Sequence, residues 1–218
     1  PRCDKLFGPG NRYVTAAKQL ASAFCAIDMP AGPSEVLVLA DAAADAELVA
    51  ADLLSQAEHG PDSQAILVTD SPELLEQVKT ALVAQLTDLP RADIANQSLA
   101  NSFAIEADSV KSGLAFSNRY APEHLILHLQ DHEQYLPQIR HAGSVFCGAS
   151  SPEAAGDYAS GTNHTLPTAG FARSFSGVAV ESFGKYVSFQ ELTPKGLRLL
   201  APTIEAMATA EGLEAHRR

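Results

Sequence analysis

The sequence predicts an α/β fold, a mostly parallel sheet with helices on both faces followed by a small C-terminal helical tail. Three observations predict it. Short apolar runs rich in β-formers, such as Glu35 to Ala40 (EVLVLA) and Ala65 to Thr69 (AILVT), recur along the chain. Segments of helical periodicity separate them. Strands and helices that alternate in this way join by right-handed crossovers into a parallel sheet covered on both faces. After Ser150 the alternation stops and the texture turns rich in Gly, Ser, Thr and Pro.

In chain order, Phe7-Gly8-Pro9-Gly10-Asn11 reads as a tight turn leading into a helix over 13–20. Glu35 to Ala40 is a buried strand. A helix over 45–58 follows, its apolar side carried by Leu48, Val49, Leu53 and Leu54. The next strand is 65–69. Ser71 is an N-cap with Pro72 at the first helical position, which starts a helix running to about Leu86. Then come a helix over 91–99, a strand over 102–106, a helix over 110–120, a strand over 125–129, a helix over 133–141 and a strand over 144–146. Residues 151–177 read as an ordered loop region, and loops of that length in compact proteins are usually functional. A strand is expected over 185–190, and a last helix from the N-cap Thr193 to near Gly212. The regions expected are 1–34, 35–177 for the main α/β domain, and 178–218 for the tail.

Composition narrows the functional classes. The chain has 218 residues, 46% of them hydrophobic and 19% charged, which is a globular composition. Its net charge of −11 argues against a nucleic-acid partner, because phosphate binding needs a basic face. The longest apolar runs are too short to span a bilayer, and no secretory signal is evident. Three scattered cysteines without a CxxC spacing fit a reducing cytoplasm better than a disulfide framework.

Five constellations could carry chemistry. In QAEHGP, Gln56 and His59 share a helix face near its C-terminal end, and both side chains can ligate a metal. In YAPEHL, Pro122 keeps the chain extended, and Glu123 and His124 sit at the mouth of a strand as a carboxylate–imidazole pair able to move protons. In GDYASGTNH, Asp157 offers a hard oxygen and His164 an imidazole on a polar loop. The GPGN turn ending at Asn11 presents free amides at a helix start, which can hold an anion. Glu211 and His216 lie at the end of the last helix. Taken singly, none of these strings outweighs its ordinary reading as a helix terminus, strand start, turn or solvated chain end.

Together the strings DKLFGPGN, AIDMPAGPSEVLVLAD, DLLSQAEHGPDSQ, PEHLI, AGSVF, SPEAAGDYASGTNHTLPT and EGLEAH, in that order over nearly the whole chain, resemble the histidinol dehydrogenase family. The resemblance implies one zinc per subunit held by Gln56, His59, Asp157 and His216, with Glu123 and His124 acting in catalysis. It implies substrate contacts from Ser34, His164 and Glu211 besides Gln56, His59, His124, Asp157 and His216, and an NAD contact from Asn11. The implied reaction is the four-electron oxidation of L-histidinol to L-histidine through histidinal, by two hydride transfers to NAD. The implied fold has incomplete Rossmann-like domains, and the implied assembly is a homodimer whose last segment, with Glu211 and His216, reaches into the neighbour's site. On this reading the chain, which opens at Pro1 and stops at Arg218, is the C-terminal half of a longer protein and inactive alone. The stretch between Lys18 and Ala26 is a few residues shorter than the family pattern. Two other readings remain beside this one: a metal-free binding module with structural histidines, and a zinc hydrolase using Glu123 as general base. The second lacks an HExxH motif and gives the GPGN turn no task.

Overall fold

The computed structural model describes residues 2–218; Pro1, at the start of the first expected region, lies outside them. The chain divides into two compact units, one ending at Phe183 and the other comprising Gly184–Arg218.

The first unit opens with β1 (Lys5–Leu6), α1 (Arg12–Ala21) and β2 (Ala26–Ile27), and the two short strands pair in parallel. Asn11 is the N-cap of α1, its Oδ1 accepting from the Tyr13 and Val14 amides. Buried Lys18 pairs with Asp28 and also donates to the Gly8 carbonyl at 2.7 Å, so the turn and the helix are locked together.

The main sheet follows. Its chain order is β3 (Glu35–Ala40), α2 (Ala46–Ala57), β4 (Gln64–Thr69), α3 (Pro72–Leu86), α4 (Ala92–Leu99), β5 (Phe103–Glu106), α5 (Val110–Tyr120), β6 (His124–His128) and β7 (Ser144–Cys147). Spatially the order is β5-β4-β3-β6-β7, every pair parallel. This is a Rossmann-type arrangement with five of its six strands: the first sheet strand in sequence lies in the middle, and strand order reverses between β3 and β6.

The alternation of side chains across a strand sorts the core into two layers. Val36, Val38, Ala40, Ala65, Leu67 and Ile126 face α2 and α3, where Val49, Leu53, Leu74 and Val78 cover them. Leu37, Leu39, Ile66, Val68, Leu125 and Leu127 face the opposite way, against Val110 and Leu114 of α5. Both faces are therefore covered, as the continuous apolar runs require. Ser71 caps α3 through the Leu74 amide with Pro72 behind it, as its sequence foretells.

Three expectations are corrected. Residues 132–138 form a 3-10 turn instead of an α-helix over 133–141, because Pro137 lacks the N–H that an α-helical register would use. No strand forms over 185–190 among the described residues; Tyr186 and Phe189 are 93% and 94% exposed, and no strand pairs with them. The loop region 151–177 contains a short helix, α6 (Glu153–Tyr158). The second unit carries α7 (Pro194–Ala210), capped by Thr193, and α8 (Glu214–Arg217). No helix among the described residues is long and apolar enough to cross a membrane.

Candidate metal and acid–base site

The site forms at the amino ends of the parallel strands. His124 is the first residue of β6, Glu123 precedes it, and Glu35 is the first residue of β3. A helix that follows a strand runs back antiparallel to it, so the C-terminal end of α2, with Gln56 and His59, returns to the same edge. Open parallel sheets commonly bind ligands at the carboxyl edge. Here that edge is occupied by its own turns: Asp41 accepts from the Ala43 and Gln130 amides and Asp70 from the Val110 amide, and the β3–α2 connection has no glycine.

The backbone around Glu123 is constrained from both sides. Ala121, fully buried, ends α5 in the left-handed region at φ 60°, a conformation that costs a non-glycine residue about 1–2 kcal/mol and turns the chain toward the cluster. Gly143 lies against the Glu123 carbonyl; an added Cβ would stand 2.6 Å from that oxygen, so only glycine allows the β7 entry to approach so closely. The Glu35 amide donates to Glu123 Oε2 at 3.0 Å. Glu35 in turn accepts from the Ala169 amide at 3.1 Å and from the Tyr120 hydroxyl at 2.9 Å, and the Gly32 amide donates to Thr168 Oγ1 at 2.7 Å. These bonds tie the loop that carries His164 to the start of β3.

The short helix α6 brings in two further carboxylates. Glu153 and Asp157 are four residues apart, hence on one helical face. Gly156 lies against the Phe146 ring, where an added Cβ would be 2.6 Å from Cε1, and Phe146 is 5.8 Å centroid to centroid from the His124 ring. Glu153 is 1% exposed. His124 Nδ1 lies 3.6 Å from Glu153 Oε1 and 3.9 Å from Glu123 Oε2. His59 donates from Nδ1 to the Ser55 carbonyl at 2.8 Å, since a carbonyl can only accept. That leaves Nε2 free as a lone-pair donor, 3.9 Å from Asp157 Oδ2. One ligand atom from each of His59, Glu153 and Asp157 falls within 4.8 Å of the others.

Unsatisfied polar atoms mark the same place. Both amide atoms of fully buried Gln56, both oxygens of Glu153 and His124 Nδ1 are buried without a hydrogen-bond partner. Leaving such groups unpaired costs about 1–3 kcal/mol each, so their concentration here points to something that the site is shaped to receive. Burial pushes Glu153 up to about 8, with the Asp157 and Asp52 charges adding to it. Burial also raises Glu123 well above the ordinary carboxylate range, with Glu35, Glu153 and Asp157 contributing. Burial holds His124 down at about 4, helped by the neighbouring His59. Carboxyls raised by burial and an imidazole lowered by it mark a pocket short of positive charge, a deficit that a divalent cation could meet.

Of the residues singled out in the sequence, Glu123, His124, His59 and Asp157 converge, and buried Gln56 lies one turn before His59. Ser34 is half-buried beside Glu35, while His164 is exposed on the loop near His124. The exposed Asn11 uses its side-chain oxygen as a helix cap. Glu211 caps the end of α7 and His216 lies in α8, both exposed within the second unit. Sequence reasoning missed Glu153, whose signal was its four-residue spacing from Asp157, and Glu35, whose partners are 85 and 134 residues away. It also left His128 unassigned. His128 pairs at 2.8 Å with Asp52, a buried contact spanning 76 residues that no local spacing announces.

Fold and cluster together define a Rossmann-like α/β protein with a carboxylate–imidazole pair beside a group of side chains that could hold a metal ion. The sequence profile of the histidinol dehydrogenase family matches residues 1–218. Histidinol dehydrogenases of Aliivibrio fischeri and Vibrio cholerae are each 56% identical over 220 aligned residues, covering 100% of this chain and 50% and 51% of theirs. That of Bacteroides fragilis is 57% identical over 218 residues. The crystal structure of histidinol dehydrogenase from Elizabethkingia anophelis superposes with a TM-score of 0.95 at 59% identity, covering 100% of this chain and 50% of that one. The chain belongs to the histidinol dehydrogenase family, and it spans about half the length of the relatives it matches.

Proposed function

We propose that the protein to which this chain belongs oxidises L-histidinol to L-histidine through histidinal in histidine biosynthesis, with zinc and NAD as cofactors. The observation that carries the reading is the convergence of Glu123 and His124 with His59 and Asp157 at one sheet edge, in a chain of this family. The donor set suits zinc, an imidazole nitrogen and carboxylate oxygen beside an amide otherwise left unpaired, with His216 as the fourth ligand. Bound there, zinc supplies positive charge that favours ionised carboxylates and fixes the substrate's polar groups, while NAD, contacted by Asn11, supplies the hydride acceptor.

The chain's own residues do the rest. Ser34, His164 and Glu211 orient histidinol, which lowers the entropic part of the barrier. His124, held unprotonated by burial, takes the alcohol proton as the aldehyde forms. Glu123 takes a proton from the water that attacks the aldehyde, and His124 accepts again in the second oxidation. The tail with Glu211 and His216 is proposed to complete the site of the partner subunit in a homodimer, and three free thiols fit a cytoplasmic setting. The test is histidinol-dependent NADH formation by the full-length protein together with elemental analysis for zinc. Stoichiometric zinc and NADH at two per histidinol are expected; an absence of both sinks the assignment.

A further inference from the structure

We propose that Glu153 is the positioning residue for His124, holding the imidazole in the tautomer that leaves Nε2 free to act as base. The inference rests on the histidinol dehydrogenase reading given above. It adds to that reading a residue whose place in the site comes from geometry.

An imidazole has two nitrogens on opposite edges of the ring, and which one carries the proton is set by what the other edge meets. In this site Nδ1 is buried and meets two carboxylates, Glu153 Oε1 at 3.6 Å and Glu123 Oε2 at 3.9 Å. The two are not equivalent. Glu123 Oε2 is already engaged by the Glu35 amide at 3.0 Å, whereas neither oxygen of Glu153 has a partner. Glu153 is also the nearer. Hydrogen bonds at catalytic sites are often long before the reactive complex forms and tighten within it. With Glu153 ionised, as the positive charge of a bound metal ion favours, the Nδ1–H and a carboxylate oxygen that face each other, each otherwise unsatisfied, complete one another.

The surrounding packing serves that contact. Gly156 lets α6 seat directly on the Phe146 ring, and Phe146 lies tilted against His124, so one aromatic side chain fixes both the imidazole plane and the helix bearing Glu153. Glu123 is thereby left free for the water. With the proton on Nδ1, the lone pair of Nε2 points away from the two carboxylates. The logic is that of a carboxylate orienting a general-base histidine.

The test uses the full-length protein. In wild type labelled with 15N-histidine, the His124 ring should show Nδ1 protonated and Nε2 bare, assigned by comparison with a His124→Gln variant. Glu153→Gln keeps an oxygen that accepts from Nδ1 and should retain this tautomer and most of kcat. Glu153→Ala should lose it, lowering kcat about 10–100-fold while KM for histidinol and the zinc content stay within twofold. Loss of zinc in Glu153→Ala would instead make Glu153 a metal ligand, and a Gln variant as impaired as Ala would make its charge the active property; either result overturns the proposal. So does an Nε2-protonated His124 in wild type, a measurement that needs no variant to fold. A wild type that shows the expected tautomer but no histidinol oxidation would instead break the functional reading on its own.

Discussion

Glu123 and His124 are neighbours in sequence yet differ in what they can do. Glu123 Oε2 is bound by the Glu35 amide, and burial keeps the carboxyl far above its ordinary range, so its affinity for a proton is high. That suits it to take a proton from water. Glu123→Gln is therefore expected to slow histidinal oxidation by about 100-fold or more and to leave the alcohol step nearly intact. The two half-reactions can be measured separately by supplying histidinal; equal losses in both would remove Glu123 from the water step. His59 makes a different prediction. Its Nδ1 is committed to the Ser55 carbonyl, so the ring presents Nε2 beside Asp157. His59→Asn shortens the side chain and should strip zinc; elemental analysis finding stoichiometric metal in the variant would take His59 out of the ligand set.

At the scale of elements, the parts legible in the sequence are those whose signals are local. Continuous apolar runs gave β3 and β4, and the Ser71-Pro72 start gave α3 to within a residue. What escaped was set by contacts across the chain: α6, too short for a periodic pattern, is held by Gly156 against Phe146, and Glu35 reads as one more strand residue until Tyr120 and Ala169 meet it. Each of these yields a test. Gly156→Ala puts a methyl group into the Phe146 ring, and overpacking of this kind costs about 1–3 kcal/mol. Because α6 carries Asp157, zinc affinity should fall with stability; a variant with lowered melting temperature but unchanged zinc affinity would show that α6 is not what sets the ligand geometry. Glu35 is raised by burial above its ordinary 4.5. A folded-state value above the unfolded one means that the native chain holds a proton the unfolded chain has lost, so this contribution is full below 4.5 and is lost as pH rises through the folded value. Glu35→Gln cannot titrate. The melting temperature of the variant relative to wild type should therefore climb from pH about 4 to about 7, and a difference that is flat or falls over that range would contradict the burial account.

For the whole molecule, the proposed ligand set is divided between the two units. Gln56, His59 and Asp157 belong to the unit that ends at Phe183, whereas Glu211 and His216 belong to Gly184–Arg218. Within that second unit Tyr186, Val187, Phe189, Leu199 and Met207 are all more than half exposed. Apolar side chains in such number are expected to be covered in the assembled protein. The family resemblance supplies the proposal of a swapped dimer, and its physical content is that each site draws residues from two chains. Complementation tests that content directly. A dimer joining a His216→Asn subunit to a Glu123→Gln subunit has one site with both defects and one with neither, so mixing the two homodimers, each impaired in completing histidine, under conditions that exchange subunits should restore histidine formation. If instead each chain supplied its own His216, every site in the heterodimer would carry one defect and mixing would restore nothing. Purified heterodimers, isolated with two different affinity tags, make the outcome unambiguous: recovery requires that His216 act across the interface, and silence returns it to its own chain.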